Sequence, residues 1–209
     1  NWGGTNNPSY HCHGKPCTSV YKVVNAANMI INRSQDEDIN WSGMGSTPTE
    51  NKNRVVAEAR AMRAWAYRHL SYLYGDVPLS LKESSGSTIK TDWTRTPVSE
   101  VRKQIISDLM YAEQYIPVEA SLPGRITKGA VQTYLAEMYL AIGKPDSTIY
   151  WADQVINNPA YSLITERYGV KSDQPGVPYM DMFYDGNANR EEGNTESLWT
   201  FNYAYNTIG

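Results

Sequence analysis

The chain has 209 residues, 41% of them hydrophobic, and 19 Lys and Arg against 22 Asp and Glu give it a formal charge of −3. This apolar content supports a core of one or two domains, while the charge leaves no basic footprint for nucleic acid or an anionic membrane. No apolar run approaches the ~18 residues of a membrane span.

Residues 1–18 carry Asn, Gly, Pro and Ser throughout and read as a long loop that holds Trp2, Asn6 and Asn7. His11, Cys12, His13 and Cys17 in it form a C-x4-C with interleaved His, a set of four potential zinc ligands, although neighbours in so short a loop rarely reach one tetrahedron. A helix is predicted over 19–32, with Tyr21, Val24, Ala27 (or Asn28) and Ile31 on one face. Asp36-Glu37-Asp38 reads as a solvated carboxylate cluster, and 40–46 as a flexible loop presenting Trp41.

The central element is the helix within 57–79. Val55, Ala59, Met62, Ala66, Leu70 and Leu73 make one stripe; Val56, Ala64, Tyr67, Ser71 and Tyr74 make a second on the other side. A helix apolar on two sides is packed between neighbours. Gly75 stops it and Pro78 prevents its resumption.

Residues 80–97 read as loop, with Trp93 near its end. A third helix is predicted over 97–115 on the stripe Val98, Val101, Ile105, Leu109 and Ala112. The fourth is capped by Thr127 and has the stripe Val131, Leu135, Met138 and Ile142. The fifth, about 146–157, carries Ile149, Ala152 and Ile156, with Asp146 or Ser147 as cap. Helices four and five read as a tetratricopeptide-like (TPR-like) hairpin, with Ala136, Tyr139 and Gly143 at the positions that want a small residue, an aromatic and a turn. The second and third helices suggest another hairpin, split by a long loop. Beyond 158 the chain is loop until 196–205, where Trp199, Phe201, Tyr203 and Tyr205 alternate as in a strand.

Glu58-Ala59-Arg60, Arg63-Ala64, the exit Tyr74-Gly75-Asp76-Val77-Pro78-Leu79 and the run GRITKGAVQTYLAEMYL (124–140) resemble the SusD/RagB family. The resemblance covers most of 20–205. It implies a mainly α fold, a SusD-like α-α superhelix of TPR-like hairpins with long loop insertions and a small β or irregular portion. Residues 1–209 would be one incomplete SusD-like domain, with a helical scaffold at 19–157 and the start of an irregular lobe at 158–209. It further implies a surface lipoprotein of the outer membrane of Bacteroidetes, held by an N-terminal lipid anchor outside this sequence. Such a protein binds glycans, or in some relatives peptides, for a TonB-dependent, SusC-like transporter. In an exported protein Cys12 and Cys17 are expected to pair as a local disulfide.

Site residues follow from sugar chemistry. The C–H face of a sugar ring lies on an indole or phenol while its hydroxyls need polar partners, so Trp2 with Asn6 and Asn7, Trp41 and Trp93 are the candidates. A calcium loop is a further reading of Asp185, Asn187 and Asn189 with Glu196 at the twelfth place, but Arg190 stands where the turn wants glycine. No G-x-S-x-G, H-E-x-x-H or phosphate loop occurs, and Asp181 and Asp185 sit in a loop that sets no carboxylate spacing. Neither catalysis nor a cofactor is expected. A TPR-type protein–protein adaptor is the alternative from another class.

Overall fold

A computed structural model describes residues 11–36, 38–43 and 46–202, and of 11–16 the helical backbone alone. The fold is mainly helical. Its elements are α1 (His11–Arg33), α2 (Pro48–Tyr74), α3 (Val98–Tyr115), α4 (Lys128–Ala141), α5 (Pro145–Ile156) and the one-turn α6 (Pro178–Asp181). The chain divides into two compact units, Asn1–Tyr115 and Ile116–Gly209.

In the first unit α2 lies between α1 and α3, as its double stripe requires. It starts earlier than the stripe suggests. Thr47 caps it, accepting from Glu50 N, while the Glu50 carboxylate accepts from Thr47 N at 3.0 Å, and Pro48 follows at the first helical position. Hydrogen bonds from Ser46 and Thr47 hold the Glu50 carboxyl down at about 2. Ala59, Ala66 and Leu70 of the first stripe and Val56, Ala64 and Tyr67 of the second are buried, as are Ala57 and Ala61 outside both, whereas Leu73 at the end of the first stripe is exposed. At the far end Gly75 takes φ +68°, a backbone that side chains resist, and donates to Ser71 O.

One polar cluster joins the three helices. Arg63, 4% exposed, forks onto Asp108 of α3 at 2.8 and 2.7 Å and donates to Asn28 of α1 at 2.8 Å. Asp108 is completely buried. Such a pair survives burial only because each partner's hydrogen bonds are met. Around it Tyr67 meets Tyr21 of α1 edge-on, and the Arg60 guanidinium lies over the Tyr111 ring of α3 at 4.3 Å.

The exit after Gly75 also has assigned work. Asp76 Oδ1 accepts from Val98 N at 2.8 Å and so caps α3 from outside the helix. Buried Val77 pairs with Thr96 in an isolated antiparallel bridge.

In the second unit α4 and α5 form the expected hairpin, with Gly143 at φ +70° in the turn. Thr127 caps α4, and a Cβ on Gly129 would stand 2.5 Å from the Tyr161 ring, whose hydroxyl accepts from Gly129 N and donates to Val118 O. Residues 157–202 are irregular and held by side chains. Arg167 grips Asp181 and the carbonyls of Lys171 and Gln174, and Arg190 reaches the carbonyls of Ala160, Thr195 and Ser197.

Several sequence expectations are corrected. Residues 11–18 belong to α1 rather than to a loop. Gly14 lies among the first four residues, whose N–H groups have no intrahelical partner, and Pro16 forfeits a single bond. Helix five starts on Pro145 after Lys144, with neither Asp146 nor Ser147 as cap, and turns Trp151 inward while Ile149 and Ile156 are 60% and 74% exposed. The buried side of α5 lies one step from the stripe that spacing predicts, because Trp151 is the larger apolar side chain. Among the described residues 196–202 form no strand; the carbonyls of Leu198 and Ser197 accept from Thr127 and Arg190 side chains in place of a ladder. Residues 203–205 lie outside the described residues.

Replacing Asp108 by Ala strands a buried guanidinium and is expected to cost about 3–5 kcal/mol in urea unfolding. A loss below about 1 kcal/mol would show that the cluster does not hold the helices together.

Candidate functional site

The polar face of α1 carries Tyr21, Asn25, Asn28 and Asn32, spaced four, three and four residues apart. Segment 78–85 lies along it, and the backbone of its alternate residues 78, 80, 82 and 84 is paired with side chains. Tyr21 donates to Pro78 O at 2.8 Å. Asn25 takes Ser84 N at 2.8 Å and gives to Ser84 O at 3.2 Å, as a neighbouring strand would. Asn28 donates to Ser80 O and Lys82 O, and Tyr67 of α2 accepts from Ser80 N and donates to Ser80 O. Arg33 closes the row with a two-pronged bond to Glu83.

Burial pushes the Tyr21 hydroxyl well above the usual phenol range and that of Tyr67 to about 12, so both remain donors. Arg33 holds the Glu83 carboxyl below its ordinary value. Burial pushes the Cys17 thiol above its ordinary value, which favours its protonated form.

Beyond Ser85 the chain makes a 3-10 turn at Gly86–Thr88, tied by the Thr88 hydroxyl to the carbonyls of Ser85 and Glu83. The turn carries Ile89, Lys90 and Trp93 outward over α1. Two adjoining grooves result. One, about 780 Å³, runs between Tyr21, Asn25 and Met29 of α1 and Ile89 and Trp93 of the loop. The other, about 600 Å³, lies along Asn32, Leu81, Lys82 and Lys90. Ser80, Ser84 and Trp93 border both. Trp93 is 41% exposed, with the Lys90 ammonium 5.1 Å from its ring centroid. An apolar floor, one exposed indole and a rim of amide, hydroxyl and ammonium groups suit an amphipathic ligand with C–H faces and hydroxyls. Glu83 is the one carboxylate among the lining residues and is engaged by Arg33, so the groove offers no pair of carboxylates for glycosidic cleavage.

Of the sequence candidates among the described residues, Trp93 lies in the groove and Trp41 does not. Trp41 is half-buried outside it, and its carbonyl accepts from Asn51 at 2.8 Å. Trp2, Asn6 and Asn7 lie outside the described residues. Cys17 lines one end of the larger groove as a free thiol. Its expected bridge to Cys12, and the zinc set with His11 and His13, involve side chains outside the described residues. Five positions along a regular helix separate two Cα atoms by about 8.6 Å, further than the ~7 Å that a disulfide spans, so pairing would require the first turns of α1 to unwind.

Three of the four residues of the calcium reading are engaged in hydrogen bonds within the chain. Asn187 is fully buried, accepts from Val170 N and donates to Tyr168 O; Asn189 accepts from Thr200; Glu196 accepts from Ile164 N; and Asp185 is exposed. Among the described residues no group of three or more His, Cys, Asp and Glu is placed to hold a metal ion.

Comparison with known proteins decides the family. A SusD-like family described as starch-binding and associating with the outer membrane matches residues 9–140, which include α1 to α3 and both grooves. The chain belongs to the SusD-like family. SusD-like protein P2 of Formosa agariphila is 31% identical over 188 residues, covering 88% of this chain and 32% of that protein. A SusD-like protein from Bacteroides fragilis superposes with a TM-score of 0.73 at 19% identity, over 93% of this chain and 35% of its own. A crystal structure with a xylogluco-oligosaccharide is similar at 26% identity and a TM-score of 0.61, over 74% of this chain and 31% of that one. The chain spans about a third of the length of the curated relatives it matches.

Several groove residues of this SusD-like chain escaped the sequence reading: Asn25, Met29, Ile89 and Lys90. For Asn25 a signal existed, since Asn25, Asn28 and Asn32 make a polar row along an otherwise apolar-faced helix. Asn25→Ala removes two bonds to Ser84 and should cost about 1–2 kcal/mol. Amide exchange at residues 80–85 is expected to accelerate while helicity stays constant. Unchanged exchange would show that α1 does not fix the groove floor.

Proposed function

We infer that this chain is part of a surface-exposed outer-membrane lipoprotein that binds an oligosaccharide or polysaccharide without altering it and passes it to a TonB-dependent, SusC-like transporter. The observation that carries this reading is the exposed indole of Trp93 between two polar-rimmed grooves, in a chain of a starch-binding family. A structural neighbour crystallised with a xylogluco-oligosaccharide supports the same ligand class. The sugar stacks on Trp93, and the ammonium groups of the lysines along the grooves meet its hydroxyls. Each hydroxyl exchanges water for protein with little net gain, so binding is shallow and depends on several contacts at once. Residues 1–209 are one part of a longer SusD-like domain, with the TPR-like scaffold at 19–157 and the irregular lobe opening at 158–209.

The outward face of the α4–α5 hairpin favours a protein contact as well. Leu140, Ile149, Tyr150 and Ile156 are exposed there, and their apolar surface suits a protein better than a sugar. Docking on the transporter would use such a face; a protein adaptor without a small ligand would use it too.

Affinity electrophoresis of the full chain through gels containing polysaccharides separates these readings. Retardation by a glycan is expected, weakened about tenfold by Trp93→Ala and left unchanged by Trp41→Ala. Retardation insensitive to Trp93→Ala would remove the groove from the site, and no retardation by any glycan would favour the adaptor.

A further inference from the structure

We propose that the Trp93 groove selects acidic glycans, those carrying uronate or sulfate groups, through Lys22, Lys82 and Lys90. The proposal rests on the glycan-binding reading above and adds the charge class of the ligand.

The argument begins with the local charge. The whole chain carries a formal −3, yet the ionisable side chains lining the two grooves are three lysines and Glu83, apart from a buried phenol and a thiol that stay neutral. Glu83 is neutralised by Arg33 at 2.6 Å. Lys22 and Lys82 take part in no ion pair among the described residues. Lys90 stands 4.0 Å from Asp92, whose side chain is 85% exposed, a contact too loose and too wet to cancel the ammonium. The groove is thus a cationic strip on an anionic protein.

Placement gives the charge a use. The Lys90 ammonium stands 5.1 Å from the centroid of the Trp93 ring, so an acidic sugar bound at the indole comes within reach of that charge. Lys22 rims the larger groove on the α1 side, and Lys82 rims the smaller groove on the loop side. Cations distributed along two joined grooves match an anion repeated along a polymer, where weak single contacts add through multivalency.

The same geometry gives an acidic peptide less to hold than a sugar. Peptide capture in a groove commonly adds a strand to unpaired backbone. Here Pro78, Ser80, Lys82 and Ser84 already give their carbonyls to Tyr21, Tyr67, Asn28 and Asn25, and the amides of Ser80 and Ser84 are bound too, which leaves a strand the intervening backbone at Leu79 and Leu81. Beside that short edge the groove offers an exposed indole and charge, which is the complement of a charged sugar.

The test measures binding of the full chain to two matched pairs, polygalacturonate with its methyl ester and a sulfated galactan with its desulfated form, alongside polyglutamate. The acidic member of at least one pair is expected to bind about tenfold tighter than its neutral partner. That preference should fade between about 50 and about 500 mM salt. The Lys22→Gln/Lys90→Gln double variant, both changes being at exposed positions, should bind the acidic polymer about tenfold more weakly and show a smaller salt dependence. Equal or better binding of the neutral members, or insensitivity to the two substitutions, overturns the charge selection while leaving glycan binding intact. Polyglutamate bound as tightly as the acidic glycans, with the same lysine dependence, overturns selection for sugar. Absence of binding to every polymer overturns both readings.

Discussion

The buried contact between Arg63 and Asp108 constrains everything around it. Two charges taken out of water must find partners or the fold fails, and here the partners come from three helices at once. Asp108 fixes the rotation and height of α3 against α2; Asn28 does the same for α1. Alanines 57, 61 and 64 tolerate small shifts of one helix past another, because small apolar surfaces carry little directional preference. The forked guanidinium does not, since a slip of one residue would leave a charge unmatched. The cluster thus chooses one packing of the three helices among several that apolar contact alone would permit.

From there the constraint runs outward. Asn28 receives Arg63 on its amide oxygen and passes two bonds from its nitrogen to Ser80 and Lys82. One side chain therefore joins the buried charge to the floor of the groove. Tyr21, Asn25 and Tyr67 extend the same arrangement, so a segment with no regular secondary structure is held as firmly as a strand would be. A ligand meeting such a floor does not have to order it, which lowers the entropic cost of association. Loop 86–95 is tied less often, and it carries the indole.

The helical frame was largely legible in the sequence, because apolar spacing and punctuation by Gly75 and Thr127 act locally. α3 and the core of α2 show the stripes expected of them. The failures have physical causes. The Thr47-to-Glu50 capping box was readable but lies upstream of the apolar stripe that located α2. The phase of α5 was decided by a single Trp that spacing counts as one residue among several. The strand at 196–202 had the right alternation, but a strand also needs a partner, and pairing is not a local property. For the site, Trp93 could be named as an exposed aromatic, whereas its neighbours come from a helix some sixty residues away in sequence. The spacing of Asn25, Asn28 and Asn32 hinted at a polar seam without saying what lies against it.

In the second unit, a few side chains each gather several backbone groups. Arg167 holds Asp181 and two carbonyls, Arg190 holds three carbonyls, and Asn187 and Asn194 each bridge two strands of loop. A β-sheet distributes such bonds evenly, so every residue of a ladder shares the constraint of its register. A loop region pinned at a handful of points leaves the intervening positions free to change length and composition. This architecture separates the residues that maintain shape from those that face solvent, so relatives can vary their exposed surface extensively without rebuilding the scaffold beneath it.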